Sequence, residues 1–93
     1  MTHTRPFDPA KYLTRPEAQE ELLNEALESG DAAFIAQTLG VIARARGISQ
    51  IAKDTGLTRQ GIYKALDDNG DPRLTTLLGV LKSLGFSLKA TTA

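Results

Sequence analysis

Cysteine is absent, and with it go disulfides and every thiolate metal site. The single histidine, His3, stands in a proline-flanked N-terminal stretch where one ring alone makes no metal site, so it reads as a surface residue and neither metal nor cofactor is expected. No histidine base neighbours a serine, no glycine loop cradles phosphate, and the acids do not fall at metal-ligand spacing, so catalysis is not expected either. No apolar run approaches the roughly 18 residues of a membrane span. The start, MTHTRPFDPA, lacks the apolar core of a signal peptide, and a cytoplasmic protein is the expectation.

Net charge is missing too, with 11 basic residues balancing 11 acidic ones. The balance hides a division. Residues 1–30 set Arg5, Lys11 and Arg15 against Asp8, Glu17, Glu20, Glu21, Glu25 and Glu28, a net −3. Residues 31–66 set Arg44, Arg46, Lys53, Arg59 and Lys64 against Asp31 and Asp54, a net +3, and the remainder is neutral. Ninety-three residues make one domain with a modest core, to which oligomerisation would add stability.

The basic part contains the most informative stretch, residues 48–66, ISQIAKDTGLTRQGIYKAL. A helix-turn-helix needs a small residue where two steeply crossed helices touch, a residue tolerant of unusual dihedrals at the bend, and apolar anchors on both sides. Ala52, Gly56 and the set Ile48, Ile51, Leu57 and Ile62 supply these in turn. Ser49 is placed to cap the first helix and Thr58 the second. An ordinary helical hairpin inside a small bundle gives a similar apolar rhythm and is the competing structural reading.

Pro6 and Pro9 make residues 1–13 an extended arm, with Phe7, Tyr12 and Leu13 as docking groups. TRPE then opens a first helix. Thr14 and Glu17 have capping-box spacing, Pro16 sits in the first turn, and Ala18, Leu22, Leu23, Ala26 and Leu27 form the apolar stripe before Gly30. Asp31 caps a second helix that runs to about Arg46, buries Ile35, Leu39 and Ile42, and stops at Gly47. Gly40 inside it marks a close helix crossing. Arg44 and Arg46 in its last turn suit the negative end of the helix dipole or a phosphate equally well.

Beyond the motif, DDNGDP is a turn, and Asp71 with Pro72 signals the restart of a final helix. Leu74, Leu77, Leu78, Leu81 and Leu84 recur along it at helical spacing up to Gly85. The alternation at Phe86, Ser87, Leu88 and Lys89 predicts a short strand, whose simplest partner is the same strand of a second copy. A two-fold dimer is therefore expected through Leu77, Leu81, Leu84, Phe86 and Leu88, with a disordered tail as the alternative. The folded domain then covers residues 14–89, and residues 90–93 fray.

In a helix-turn-helix the second helix enters the major groove and its N-terminal residues reach base edges. Here those are Arg59, suited to guanine O6 and N7, and Gln60, suited to adenine N6 and N7. Gly61 lets the backbone approach a phosphate or the preceding helix. Tyr63, Lys64, Thr58, Ser49 and Gln50 are the candidate phosphate contacts, and a structural role competes at Tyr63 and a solvated surface role at Lys64.

Four blocks together, FDPAKYL, EALESGD, IARARGISQIAKDTGLTRQGIYKAL and NGDPRLTTLLGVLKSLGF, resemble the addiction-module antidote proteins, small HigA-like antitoxins of the Xre class of helix-turn-helix proteins. The resemblance covers about residues 7–89. It implies an all-α, five-helix, Xre/lambda-repressor-like domain, here with the short C-terminal β-strand. It also implies a homodimer that binds a palindromic double-stranded operator in its own promoter and neutralises a small basic toxin of the RelE fold, an mRNA-cleaving ribonuclease. By motif position the DNA-reading role falls on Arg59, Gln60, Tyr63 and Lys64. Ala65 is smaller than the branched residue common there, which leaves Leu66 to supply the packing. No motif marks toxin contact, but the acidic charge of residues 1–30 points to the arm and first helix, with Phe7, Tyr12, Glu21 and Glu25 as contacts. Two other functions stay open: a free-standing or phage-type repressor without a toxin, and a helical protein-binding module that does not bind DNA.

Overall fold

The computed structural model describes residues 15–67 and 69–92, and the described residues form five α-helices. They are α1 (Pro16–Ser29), α2 (Ala32–Arg46), α3 (Ile48–Thr55), α4 (Arg59–Ala65) and α5 (Leu74–Leu84). The expected arm, with Phe7 and Tyr12, lies outside the described residues, as does Thr14 of the expected capping box.

Local chemistry explains most of the boundaries. Pro16 is the first residue of α1, where its missing N–H costs nothing, and Arg15 before it is extended without a side-chain cap. Asp31 caps α2 as the sequence predicts: its Oδ1 accepts from the Ala33 N–H at 3.0 Å and the Phe34 N–H at 3.3 Å. Thr58 caps α4, its hydroxyl accepting from the Gly61 N–H at 2.9 Å. Ser49 does not cap α3. That helix begins at Ile48 directly after Gly47, which places the serine inside the first turn with its hydroxyl directed elsewhere. Between α3 and α4, Gly56 takes the left-handed conformation, φ 76°, and its N–H returns to the Ala52 carbonyl. A side chain there would be strained, which is why the bend falls on a glycine.

The restart after α4 comes later than Asp71 and Pro72 predict, since α5 begins at Leu74 with Arg73 extended before it. The turn is closed on Asp67 instead. Its carboxylate accepts from the Asn69 N–H and its carbonyl from the Gly70 N–H, both at 2.9 Å.

Leu39 and Ile42 of α2 lie at the centre of the core, surrounded by Leu23 of α1, Ile51 of α3, Ile62 and Leu66 around α4, and Val80, Leu81 and Leu84 of α5. Each fully buried aliphatic side chain of this size contributes about 1.5–3 kcal/mol. Leu66 is buried while Ala65 is only half-buried, so the larger of the two does the packing. Gly40 allows α2 to pass close to the end of α4, since a Cβ built there would stand 2.7 Å from the Leu66 carbonyl oxygen. The helix crossing expected at Gly40 is thus present. Main packing runs α1 on α2, α3 on α5 and α4 on α3, with α2 also touching α3 and α5.

The C-terminal strand expected at residues 86–89 is not present, and residues 86–92 carry no regular secondary structure. The reason is local. Gly85 is left-handed, its N–H donating to the Lys82 carbonyl at 3.0 Å, and the Phe86 N–H donates to the Leu81 carbonyl at 2.9 Å. Phe86 thus closes the end of α5 and packs half-buried against the core, and its N–H is lost to any ladder. The leucine stripe of α5 is also divided differently from the dimer expectation. Leu81 and Leu84 are taken up by the chain's own core and Leu77 packs against it, whereas Leu74, Leu78 and Leu88 are exposed. Of the five residues expected at a two-fold interface, Leu88 alone presents a largely exposed side chain.

Candidate nucleic-acid interface

Successive residues of a helix point about 100° apart, so burying one face of α4 decides what the opposite face displays. Ile62 and Leu66 are buried and Ala65 half-buried, and these three define the inner face. Gln60 and Lys64 then project straight outward, with Tyr63 between them and the edge, and all three are exposed. Tyr63 keeps 47% of its surface, so its ring lies over the protein rather than inside it. Gly61 has only the Thr58 hydroxyl near the position of an added Cβ, at 3.1 Å, so it is not a helix–helix contact and it leaves a gap in the outer face.

Arg59 lies one turn before Tyr63 on the same side of α4, at the edge toward α3. Its Nη2 donates to Ser49 Oγ at 2.7 Å, so two residues expected to contact DNA are joined across the turn. Gln50, the neighbour of Ser49, donates through Nε2 to Asp54 Oδ1 at 2.8 Å, and the other oxygen of Asp54 accepts from the Ser83 hydroxyl at 2.8 Å. The hydrogen bond from Ser83, then that from Gln50, hold the Asp54 carboxyl below its ordinary value of 3.8, with Lys53 adding to them and slight desolvation opposing. The network pins α3 to α5, and so fixes the base from which α4 projects. Gln50 and Asp54 have the four-residue spacing of a helical pair, which the sequence displays; Ser83 is 29 positions from Asp54, and nothing local in the sequence announces it.

Arg46 belongs to the scaffold. Its Nε donates to Gln19 Oε1 at 2.8 Å and its Nη2 to the Leu84 carbonyl at 2.6 Å, which ties α1, α2 and the end of α5 together. Neither the dipole of its own helix nor a phosphate names these partners, which lie in α1 and at the end of α5. Gln19, wholly buried, is a polar core residue that the apolar stripe of α1 did not reveal. Arg44 is exposed and remains available to a phosphate.

Beside α4 an open groove of about 410 Å³ is lined in part by Lys64, Asp67, Asp71 and Arg73. Its charges balance, so it has no preference for an anion. The strongest charge of one sign lies on α1, which packs chiefly on α2 and carries Glu17, Glu20, Glu21, Glu25 and Glu28, all exposed, with no lysine or arginine. Among the described residues no group of three metal-ligating side chains is brought together, and no helix is long and apolar enough to cross a membrane.

Residues 3–92 match the protein family described as "Probable addiction module antidote protein". A relative from Haemophilus influenzae, called only "Uncharacterized protein", is 43% identical over 83 residues, covering 89% of this chain and 86% of its own length. No solved structure matches the chain.

Proposed function

The chain belongs to the addiction module antidote family, and from that premise we propose that it is a DNA-binding antitoxin of the HigA-like, Xre type. In this reading a homodimer represses its own operon in the cytoplasm and holds a small basic toxin, an mRNA-cleaving ribonuclease of the RelE fold, in an inactive complex. The activity is binding throughout, and this chain performs no catalytic step.

The observation that carries the DNA-binding part is the outer face of α4, where Gln60, Tyr63 and Lys64 project together while Ile62 and Leu66 are buried behind them. Arg59 and Gln60 read bases, and Lys64, Tyr63, Thr58, Ser49 and Gln50 contact phosphates. A two-fold dimer would present two such helices to successive major grooves about 34 Å apart, hence half-sites about 10 base pairs between centres. Leu74 and Leu78, one turn apart on α5, with Leu88 after it, supply the apolar surface for that dimer. The exposed carboxylates of α1, Glu21 and Glu25 among them, give a basic toxin a complementary face away from the α4 surface.

The test is a reporter driven by the DNA upstream of the gene. Wild-type protein represses it, Gln60→Ala relieves repression, and Glu21→Lys with Glu25→Lys leaves repression intact while weakening rescue of cells from the toxin. Undiminished repression by Gln60→Ala and Lys64→Ala together would contradict the assignment of α4.

A further inference from the structure

Arg59 and Ser49 were each expected to touch DNA, yet in the folded chain they touch each other, the guanidinium Nη2 donating to the serine Oγ at 2.7 Å across the helix-turn-helix. A serine hydroxyl has one donor and two acceptor sites, so accepting from Arg59 leaves its own O–H to donate outward. The guanidinium has five N–H groups, and one given to Ser49 leaves four for other partners. We infer that Ser49 is a positioning residue for sequence reading: its hydroxyl holds the Arg59 fork at a guanine while donating its proton to a backbone phosphate, so the two contacts form together. The inference rests on the DNA-binding reading of α4.

Three features support it. Arg59 lies at the edge of α4 nearest α3, about 100° round from the outward-pointing Gln60, so its long side chain needs a fixed point to be aimed at the groove. The fixed point is neutral. A carboxylate in the place of Ser49 would compete with guanine for the guanidinium and cancel its charge, whereas a hydroxyl orients the fork and leaves its charge intact for the guanine acceptors. Finally, the acid nearest in sequence, Asp54, is occupied by Gln50 and Ser83, which removes the obvious rival for Arg59. Fixing a long side chain before binding reduces the ordering cost at the interface.

The experiment measures binding to the duplex upstream of the gene, to a panel in which each base pair is changed in turn, and to a scrambled duplex. Ser49→Ala lowers affinity for the intact site about fivefold, the scale of one side chain ordered on binding. It also flattens base preference at the position that Arg59→Ala flattens. Ser49→Thr, which keeps the hydroxyl, restores both. In an Arg59→Ala background, Ser49→Ala no longer alters the preference profile. Equal melting temperatures for wild type and Ser49→Ala show that the exposed substitution leaves the fold alone. An unchanged preference profile in Ser49→Ala, or an equal loss on every duplex including the scrambled one, overturns the inference while leaving DNA binding in place. A wild-type protein with no sequence preference overturns the DNA-binding reading itself, and this inference with it.

Discussion

Arg46 and Asp54 are charged residues in and beside the helix-turn-helix proposed to read DNA, and their partners lie inside the chain. Arg46 donates to Gln19 and to the Leu84 carbonyl, and hydrogen bonds from a charged donor contribute about 1.5–3 kcal/mol. Arg46→Ala should therefore lower unfolding stability by about 1–3 kcal/mol in urea titrations while leaving the salt dependence of DNA binding as in wild type. A changed salt dependence with unchanged stability would return Arg46 to the phosphates. Asp54 yields a prediction in pH. Its carboxyl titrates below the ordinary value because Ser83 and then Gln50 donate to the charged form. A folded-state value below the unfolded one gives stability that is fully present above the unfolded value and lost as pH falls through the folded one. The stability difference between wild type and Asp54→Asn, followed by melting temperature, should therefore shrink as pH falls below about 4. A difference independent of pH would contradict this account. The sequence leaves both roles half visible: Gln50 and Asp54 stand at helical spacing, but Gln19, Leu84 and Ser83 meet their partners only through the tertiary fold.

At the scale of elements, the helices were legible because each carries its own punctuation: Pro16 and Gly30 for α1, Asp31 for α2, Gly56 and Thr58 for the motif turn, Gly85 for α5. The strand expected at residues 86–89 is absent for an equally local reason. Alternating Phe86, Ser87, Leu88 and Lys89 imitates a strand, but the Phe86 N–H is drawn back to Leu81 to finish α5. Periodicity along α5 identified five leucines that recur at helical spacing; it did not say which of them the chain would keep. Leu81 and Leu84 went to the core and Leu74 and Leu78 to the surface, because that division depends on where α3 docks. The proposed dimer should accordingly be broken by Leu74→Glu with Leu78→Glu, seen as a halved mass in sedimentation or light scattering with helical content retained. A wild-type protein that is already monomeric at the concentrations of operator binding, or a dimer indifferent to both changes, would rule out this face of α5.

For the whole molecule, neutrality of the sequence conceals two surfaces. The exposed side of α1 carries five glutamates and no basic residue, and the face of the motif displays Arg59, Gln60, Tyr63 and Lys64. One surface suits a basic protein and the other a polyanion, which fits the proposed pairing of toxin binding with DNA binding. The division of charge was readable in the sequence; the placing of Arg59 against Ser49 was not, since only the packing angle of α3 and α4 brings them together. The central claim is that α4 reads DNA. Its most direct test is binding of the purified protein to the duplex upstream of its own gene and to a scrambled duplex of equal length across several salt concentrations. Specific recognition predicts a preference of at least about 10³ for the upstream duplex, with log affinity falling linearly in log salt and Lys64→Ala reducing that slope by about one per contacting site. Equal affinity for the two duplexes, or no binding to either, would contradict it.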